Sequence, residues 1–245
     1  MRRPSAKRWV VWGTLLLLPG AGQGSEEDLH PNAPVPGPGN VNRVMGIGDV
    51  REPEPFTREQ RLLHAVRTGD RPTVERALEL GVSVHTQDEL ERSAFLLAVR
   101  DAESLELARV LQGAGARVDE ADVSGRTPLS YAASHGDLDL VTYLVEAGAE
   151  VDGVDDLGRT PLYYAALWNH PEVIRFLHGR GANLDVRGRH DETPLIGACI
   201  KNADAAARVL LELGADPTLV DRKGRSARDR ARLGTPACQT AHPES

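Results

Sequence analysis

The residue types that most often carry chemistry are scattered along this chain. Six of the eight histidines, His64, His85, His135, His170, His178 and His190, lie between residues 56 and 236 with no common spacing. A metal needs converging ligands of fixed geometry and a supporting shell. The nearest approximations are His135 with Asp137, and His190 with Asp191 and Glu192. Both read as solvated polar turns. The acidic group Asp152, Asp155 and Asp156 lacks the ligand spacing of a calcium loop, and aspartates in such turns mostly brace their own backbone. No Gly-x-Ser-x-Gly, His-Glu-x-x-His, phosphate-cradling Gly loop or Cys-x-x-Cys occurs. The expectation is therefore a chain with no catalytic set, no cofactor and no metal. The alternative, a hydrolase-like enzyme, requires a groove that brings His135, His170 and an acid within hydrogen-bond reach. Of the two cysteines, Cys199 reads as a small buried residue and Cys238 as a loose tail thiol. A single bridge between them stays open only for an oxidising compartment, because tail positions are seldom held at disulfide geometry.

Arginine shows a pattern where histidine does not. Arg92, Arg126, Arg159 and Arg225 recur at one register, and Glu192 interrupts the series. Each has a turn aspartate close by, such as Asp122 or Asp155, so the series either meets a partner or stiffens its own turn. The formal charge is −7, and residues 1–24 hold Arg2, Arg3, Lys7 and Arg8 with no acid, so a chain without them is more acidic still. That balance argues against general nucleic-acid or anionic-membrane binding, which need positive potential. The local run Arg222-Lys223-Gly224-Arg225, followed by Arg228, Arg230 and Arg232, has no interleaved aromatics and is diluted by Asp221 and Asp229. It reads as a solvated terminal helix.

The elements that position these residues repeat. Small Ala anchors fall at Ala65, Ala98, Ala132, Ala165 and Ala198, and glycines at Gly81, Gly115, Gly148, Gly181 and Gly214. The spacing is 33 residues with one step of 34, the extra residue lying within Arg100-Asp101-Ala102-Glu103. A fixed period of this size signals a stacked solenoid. Aromatics make up 4% of the chain, which suits thin layers packed by aliphatic side chains. Thr127, Thr160 and Thr193 stand where a helix N-cap is needed, each followed by Pro at the first helical position. Leu129, Leu162 and Leu195 then turn inward. The first helix of each unit ends near Gly69, Gly136, Asn169 or Asn202, residues that tolerate a left-handed conformation. Aliphatic residues at helical spacing mark the second helix, for example Leu140, Val141, Leu144 and Val145. A polar segment such as Glu150 to Arg159 then returns the chain as a finger.

The units resemble ankyrin repeats: Thr-Pro-Leu-x-x-Ala-Ala, then Gly or Asn, an aliphatic helix, Gly-Ala, Val-Asp and an Asp-x-x-Gly turn. The resemblance covers about Pro55 to Thr235 and is fullest from Gly125 through the following unit. It implies an all-α repeat solenoid of helix-turn-helix units with β-hairpin-like fingers, about five full repeats and a C-terminal cap. Gln60-Arg61-Leu62 and Ser93-Ala94-Phe95 depart from Thr-Pro-Leu at one end, and Ser226-Ala227-Arg228 at the other, as polar end units must. Ser130, Tyr163 and Ile196 replace the family's usual His, which removes one tie of the loop network. The resemblance further implies a non-enzymatic module that docks a protein on the concave face formed by finger tips and first helices. On that face lie Arg92, Arg126, Ser134, His135, Leu157, Arg159, Leu167, Trp168, Arg189, His190 and Lys201. Trp168 and Leu157 are the expected apolar anchors, because Trp and Arg dominate many interfaces.

The two ends read differently. Residues 1–24 look like a secretory signal: a basic n-region, the ten-residue apolar run Trp9–Leu18, then small residues through Gly24. That run is short of a membrane span. Residues 25–55 are rich in Pro and Gly with few apolar residues, and are expected to be a disordered linker. The domain is expected over 56–236 and a disordered tail over 237–245. A periplasmic or secreted monomer, free of the membrane once the signal is cleaved, follows from this reading; the alternative is a membrane-anchored scaffold that keeps its N-terminus uncleaved.

Overall fold

The computed structural model describes residues 56–231 and 236–240, all within a compact unit spanning Pro53–Ser245. The expected signal segment and linker, and the tail after Thr240, lie outside the described residues. Helices run in pairs: α1 Arg58–Arg67 with α2 Arg71–Glu79, α3 Ala94–Arg100 with α4 Leu105–Gly113, and α5 Pro128–His135 with α6 Leu138–Glu146. Next come α7 Pro161–Leu167 with α8 Pro171–Gly179, α9 Pro194–Lys201 with α10 Asp204–Glu212, and finally α11 Ala227–Arg230 and α12 Pro236–Thr240. The odd-numbered helices touch in succession from α1 to α11, and α4, α6, α8, α10 and α12 do the same in a second layer. No strand forms among the described residues. The fingers close instead through backbone bonds and, in two of them, isolated bridges at Gln87–Ser93 and Val220–Ser226. The chain is thus an all-helical repeat stack.

The repeat pattern explains the packing. Leu62, Leu129, Leu162 and Leu195 of the first helices are fully buried, and so are Ala98, Ala132, Ala165 and Ala198, whose small side chains let neighbouring helices approach. The second helices seal the other side with Leu107 and Leu111, Leu140 and Leu144, Ile174 and Leu177, and Leu210. Burying one such aliphatic side chain contributes about 1.5–3 kcal/mol. No unit encloses its own core, so each repeat depends on its neighbours.

Helix boundaries follow local chemistry. Thr127, Thr160 and Thr193 accept from the backbone N–H three residues on, at 3.2, 3.2 and 3.3 Å. Ser93 does the same at 3.2 Å. Helix α1 starts one turn earlier than the register of its neighbours, at an N-cap supplied by Thr57. With no Thr-Pro at 60–61, Gln60 closes a reciprocal capping box with Thr57, at 2.9 and 3.1 Å. The second helices end in residues such as Gly148, at φ 96°. Nothing lies within 4 Å of where a Cβ would stand there, so the left-handed backbone, not crowding, calls for glycine.

The C-terminus overturns one expectation. Cys238 is not a loose tail thiol. It is buried and forms a disulfide with Cys199 of α9, with Cα atoms 5.9 Å apart. Residues 236–240 are helical rather than the start of a disordered tail. The reason is local: Ala237 and Cys238 cover the exposed end of the stack against α10, and Asp204 accepts the Ala237 N–H at 2.9 Å. The link closes a loop across a sequence separation of 39, and a loop of that length is worth about 3–4 kcal/mol in the chain-entropy account. Replacing Cys199 and Cys238 together by Ser, or adding a reductant to the wild type, is expected to lower the thermal midpoint by several degrees. The double variant should show no further response to reductant, and an unchanged midpoint in both cases would contradict the staple.

Candidate interaction surface

Fingers of one construction lie between the helix pairs: 88–92, 122–126, 155–159, 188–192 and 221–225. In each, the fourth N–H donates to the first carbonyl at 2.8–3.0 Å, and the first N–H to the fifth carbonyl at 2.9–3.2 Å. The fourth residue is left-handed. Gly125, Gly158 and Gly224 reach this readily, whereas Glu91 at φ 58° and Asp191 at φ 56° are held there against preference. The leading aspartate brackets the turn. Asp155 Oδ1 accepts from Leu157 and Arg159 N–H at 2.9 Å each, and Asp88, Asp122 and Asp221 repeat this within 0.2 Å. Hydrogen bonds from Arg225 and Lys223 outweigh the effect of burial on Asp221 and push its carboxyl down to about 2.

Backbone bonds then join the tips. Val123 N–H donates to the Leu90 carbonyl at 3.1 Å, Asp156 to Ser124 at 3.0 Å, Arg189 to Leu157 at 2.6 Å and Arg222 to His190 at 2.9 Å. The fourth finger lacks the aspartate and begins with Gly188. A Cβ there would stand 3.0 Å from the Leu157 carbonyl oxygen, so the close approach of the two tips explains the glycine.

On this frame the arginine series divides. Arg92 binds Asp88 at 2.7 and 2.5 Å, Arg159 binds Asp155 at 2.9 and 2.8 Å, and Arg225 binds Asp221 at 3.0 and 2.8 Å. These three stiffen their own fingers. Arg126 does not. The Tyr131 hydroxyl donates to Asp122 Oδ2 at 2.7 Å. The Arg126 guanidinium lies between the rings of Tyr131 and Tyr164, at 3.9 and 4.0 Å, and donates from Nη2 to Ser134 Oγ at 2.6 Å. Arg100 also lies 5.3 Å from the Tyr131 ring centre, and Arg159 4.9 Å from that of Tyr164. The result is a stacked cluster of Arg100, Tyr131, Arg126, Tyr164 and Arg159 across three repeats. Each such contact contributes about 0.5–2 kcal/mol. Positions 97, 131, 164 and 197 share one register and read Leu, Tyr, Tyr, Gly, so of the four arginines only Arg126 has a tyrosine on both sides. Desolvation pulls its guanidinium below the ordinary arginine value, against the opposing pull of the tyrosines and Asp122. Arginine stays charged regardless.

The other expected surface residues fall as follows. Trp168 caps α7 and is 54% exposed, with the Lys201 ammonium 5.7 Å from its ring. It does not fold back under the next repeat. Tyr164 and Trp168 lie four residues apart and share a helical face, which places the stack beside the tryptophan. Ser134 is tied to Arg126. His135 is exposed, its Nδ1 3.9 Å from Glu103. Leu157 and Leu167 are half-buried, while Arg189 and His190 are exposed at the fourth tip. Exposed Leu90, Val123 and Val154 add apolar surface along the fingers. The structure thus gathers Arg126, Ser134, Arg159, Trp168 and Lys201. Arg92 stays with Asp88, whose carboxylate Arg67 shares at 2.5 Å. Sequence reasoning missed Tyr131 and Tyr164, although both directly precede a buried alanine anchor at the repeat period.

Two further places bear on chemistry. A cavity of about 600 Å³ is lined by Phe56, Leu63, His64, Arg67, Leu90 and Arg92 among others. One of about 260 Å³ lies at His190, Glu192, Asp221 and Arg225. His135 and His170 line neither, and His170 Nε2 is 3.0 Å from the Ser134 carbonyl. Among the described residues no group of three or more His, Cys, Asp or Glu is placed to hold a metal ion, and no helix is long and apolar enough to cross a membrane.

The tyrosines report on this surface. Burial raises the phenols of Tyr131, Tyr143, Tyr163 and Tyr164, with acceptance by Asp122 and Asp155 adding to it at Tyr131 and Tyr164, and Tyr163 reaches about 12. Their stabilising effect is complete below about pH 10, the ordinary tyrosine value, and is lost as pH rises through the folded values. Ultraviolet titration is expected to show tyrosinate forming above about pH 10 in the folded chain and near 10 in denaturant. Coincident curves would contradict the buried stack.

Residues 100–145 and 129–178 each match the family model for ankyrin repeats in many copies. No curated protein matches the chain. The matched windows contain α5 to α7, which hold the Arg126 stack, and the helix pairs on either side repeat the same caps and burial. Residues 100–178 are thus ankyrin repeats, set in a stack whose other helix pairs share their construction.

Proposed function

We propose that this protein is a non-enzymatic binding module that docks a partner protein on its finger and first-helix face, in an exported, oxidising setting. Ankyrin repeats generally serve protein–protein interaction. The observation that carries the reading here is Trp168. A large aromatic is more than half exposed at the end of a rigid helix, flanked by Lys201 and by a stack of arginines and tyrosines. Exposed aromatics beside arginine are the residues that most often dominate protein interfaces, and a fixed surface loses little entropy on binding. Leu157, Leu167, Val123 and Val154 extend the apolar area, while Arg189, His190 and Lys201 supply exposed polar and basic contacts.

The disulfide between Cys199 and Cys238 supports the exported setting, because such links persist in oxidising compartments. The basic and apolar start of the sequence points the same way. A periplasmic or secreted monomer, released from the membrane by signal cleavage, fits both. Enzymatic action finds no comparable support, since His135 and His170 do not converge with an acid in either cavity.

Partners captured from the exported fraction with the wild-type chain should be lost with Trp168→Ala. The affinity of a purified captured protein should fall by about 2 kcal/mol in calorimetry. Unchanged affinity, with the variant still folded, would remove Trp168 from the interface.

A further inference from the structure

Arg126 departs from the frame that dictates its neighbours. Arg92, Arg159 and Arg225 show what the finger asks of this position: a side chain that curls back onto its own aspartate. Asp122 stands in the same place, bracketing the same turn with bonds at 2.9 and 3.1 Å. Arg126 nevertheless makes no ion pair among the described residues. Its Nε is buried with no hydrogen-bond partner, and its Nη1 has no hydrogen bond either, while Nη2 is committed to Ser134. Buried donors are nearly always satisfied, and an unpaired one in a folded chain calls for a reason. The two tyrosine rings hold the guanidinium plane fixed from both faces, and Ser134 holds one edge.

The nearby carboxylates are already spent. Asp122 serves Ser124, its own turn and Tyr131. Asp155 serves Leu157, Arg159 and Tyr164. A half-buried, immobilised cation with an unused nitrogen therefore lies on the finger and first-helix face, stacked on Tyr164, which is itself one helical turn from Trp168.

Building on the binding-face reading above, we propose that Arg126 is a preorganised socket for the carboxylate of an acidic side chain, Asp or Glu, on the partner protein. The carboxylate approaches Nη1 end-on. With Nη1 the one nitrogen left open, the socket suits the two oxygens of a carboxylate better than the three of a phosphate, which would remain largely unserved. The flanking arginines Arg100 and Arg159 are neutralised by Asp101 and Asp155 at 2.9 and 2.8 Å, so the attraction is local to Arg126. The tyrosine sandwich removes rotamer freedom before the partner arrives, which is the entropic gain of a preformed site. A Trp168 contact to an apolar residue near that acid completes a two-point recognition.

The test is an arginine side-chain NMR titration of the full folded chain. The probes are sodium acetate, sodium phosphate and sodium chloride at matched ionic strength. A saturating shift of the Arg126 Nε resonance is expected with acetate, smaller with phosphate and absent with chloride, while Arg92 stays unmoved as a built-in control. A second arm uses a short peptide with Glu beside Leu and its Gln counterpart. The Glu form should bind the wild type about tenfold more tightly, and the ratio should fall to about one for Arg126→Gln. Arg126→Lys, which keeps the charge but loses the planar stack, should recover little. Equal response of Arg126 to acetate and chloride, or a Glu-to-Gln ratio untouched by Arg126→Gln, overturns the socket. The partner reading is judged separately by Trp168→Ala, so the socket can fail while that reading stands. Phosphate shifting Arg126 more than acetate also overturns it.

Discussion

The surface of this protein depends on one small interaction, repeated: a turn aspartate that accepts two backbone N–H groups of its own finger. Four of the five fingers contain it. It fixes a tight turn whose next residue is aimed at the preceding tip, and the tip-to-tip backbone bonds follow. Because the helices below repeat with closely similar caps and the same buried Leu and Ala, each finger emerges at the same point of its repeat. A row of otherwise independent loops becomes a single backbone-linked ribbon. Loops held this way lose little entropy when they meet a partner, which is why a polar surface with few aromatics can still serve binding.

Once the turn is fixed, the fifth finger residue is free to vary in what it does with its side chain. In three fingers arginine adds a second layer of bracing. In the fourth finger, Glu192 takes the place and instead meets Arg230 at 3.6 Å. Only around Arg126 do two tyrosines from neighbouring repeats compete with the aspartate for the cation, and there the rings win. The framework is thereby left intact while one arginine is turned to a different use. Trp168 illustrates the same economy, since it follows the last residue of α7 and is more than half exposed.

Much of the architecture could be read from the sequence because the repeat obeys local rules. Thr127, Thr160 and Thr193 cap their helices as their type and the following proline demand. Gly136 and Asn202 end their helices in the left-handed region. The resemblance to ankyrin repeats puts Trp168 at a solvent-facing position, and it is exposed. What the sequence hid depends on contacts between repeats or between distant segments. The start of α1 is hidden because Thr57 and Gln60 cap it by a motif unlike that of its neighbours. The disulfide is hidden because nothing near Cys238 announces that α12 covers the end of the stack. The choice Arg126 makes between Asp122 and two rings rests on Tyr164, which lies in the next repeat and carries no significance until the units are stacked.

The account stands on the finger row being a rigid, hydrogen-bonded frame before any partner arrives. Amide hydrogen exchange of the free chain reads this directly at the four linking N–H groups, Val123, Asp156, Arg189 and Arg222. These lie at loop tips, where unprotected amides exchange rapidly. The account predicts slow exchange at all four, close to that of the flanking helices. Exchange as fast as in an unstructured loop would contradict a preformed surface.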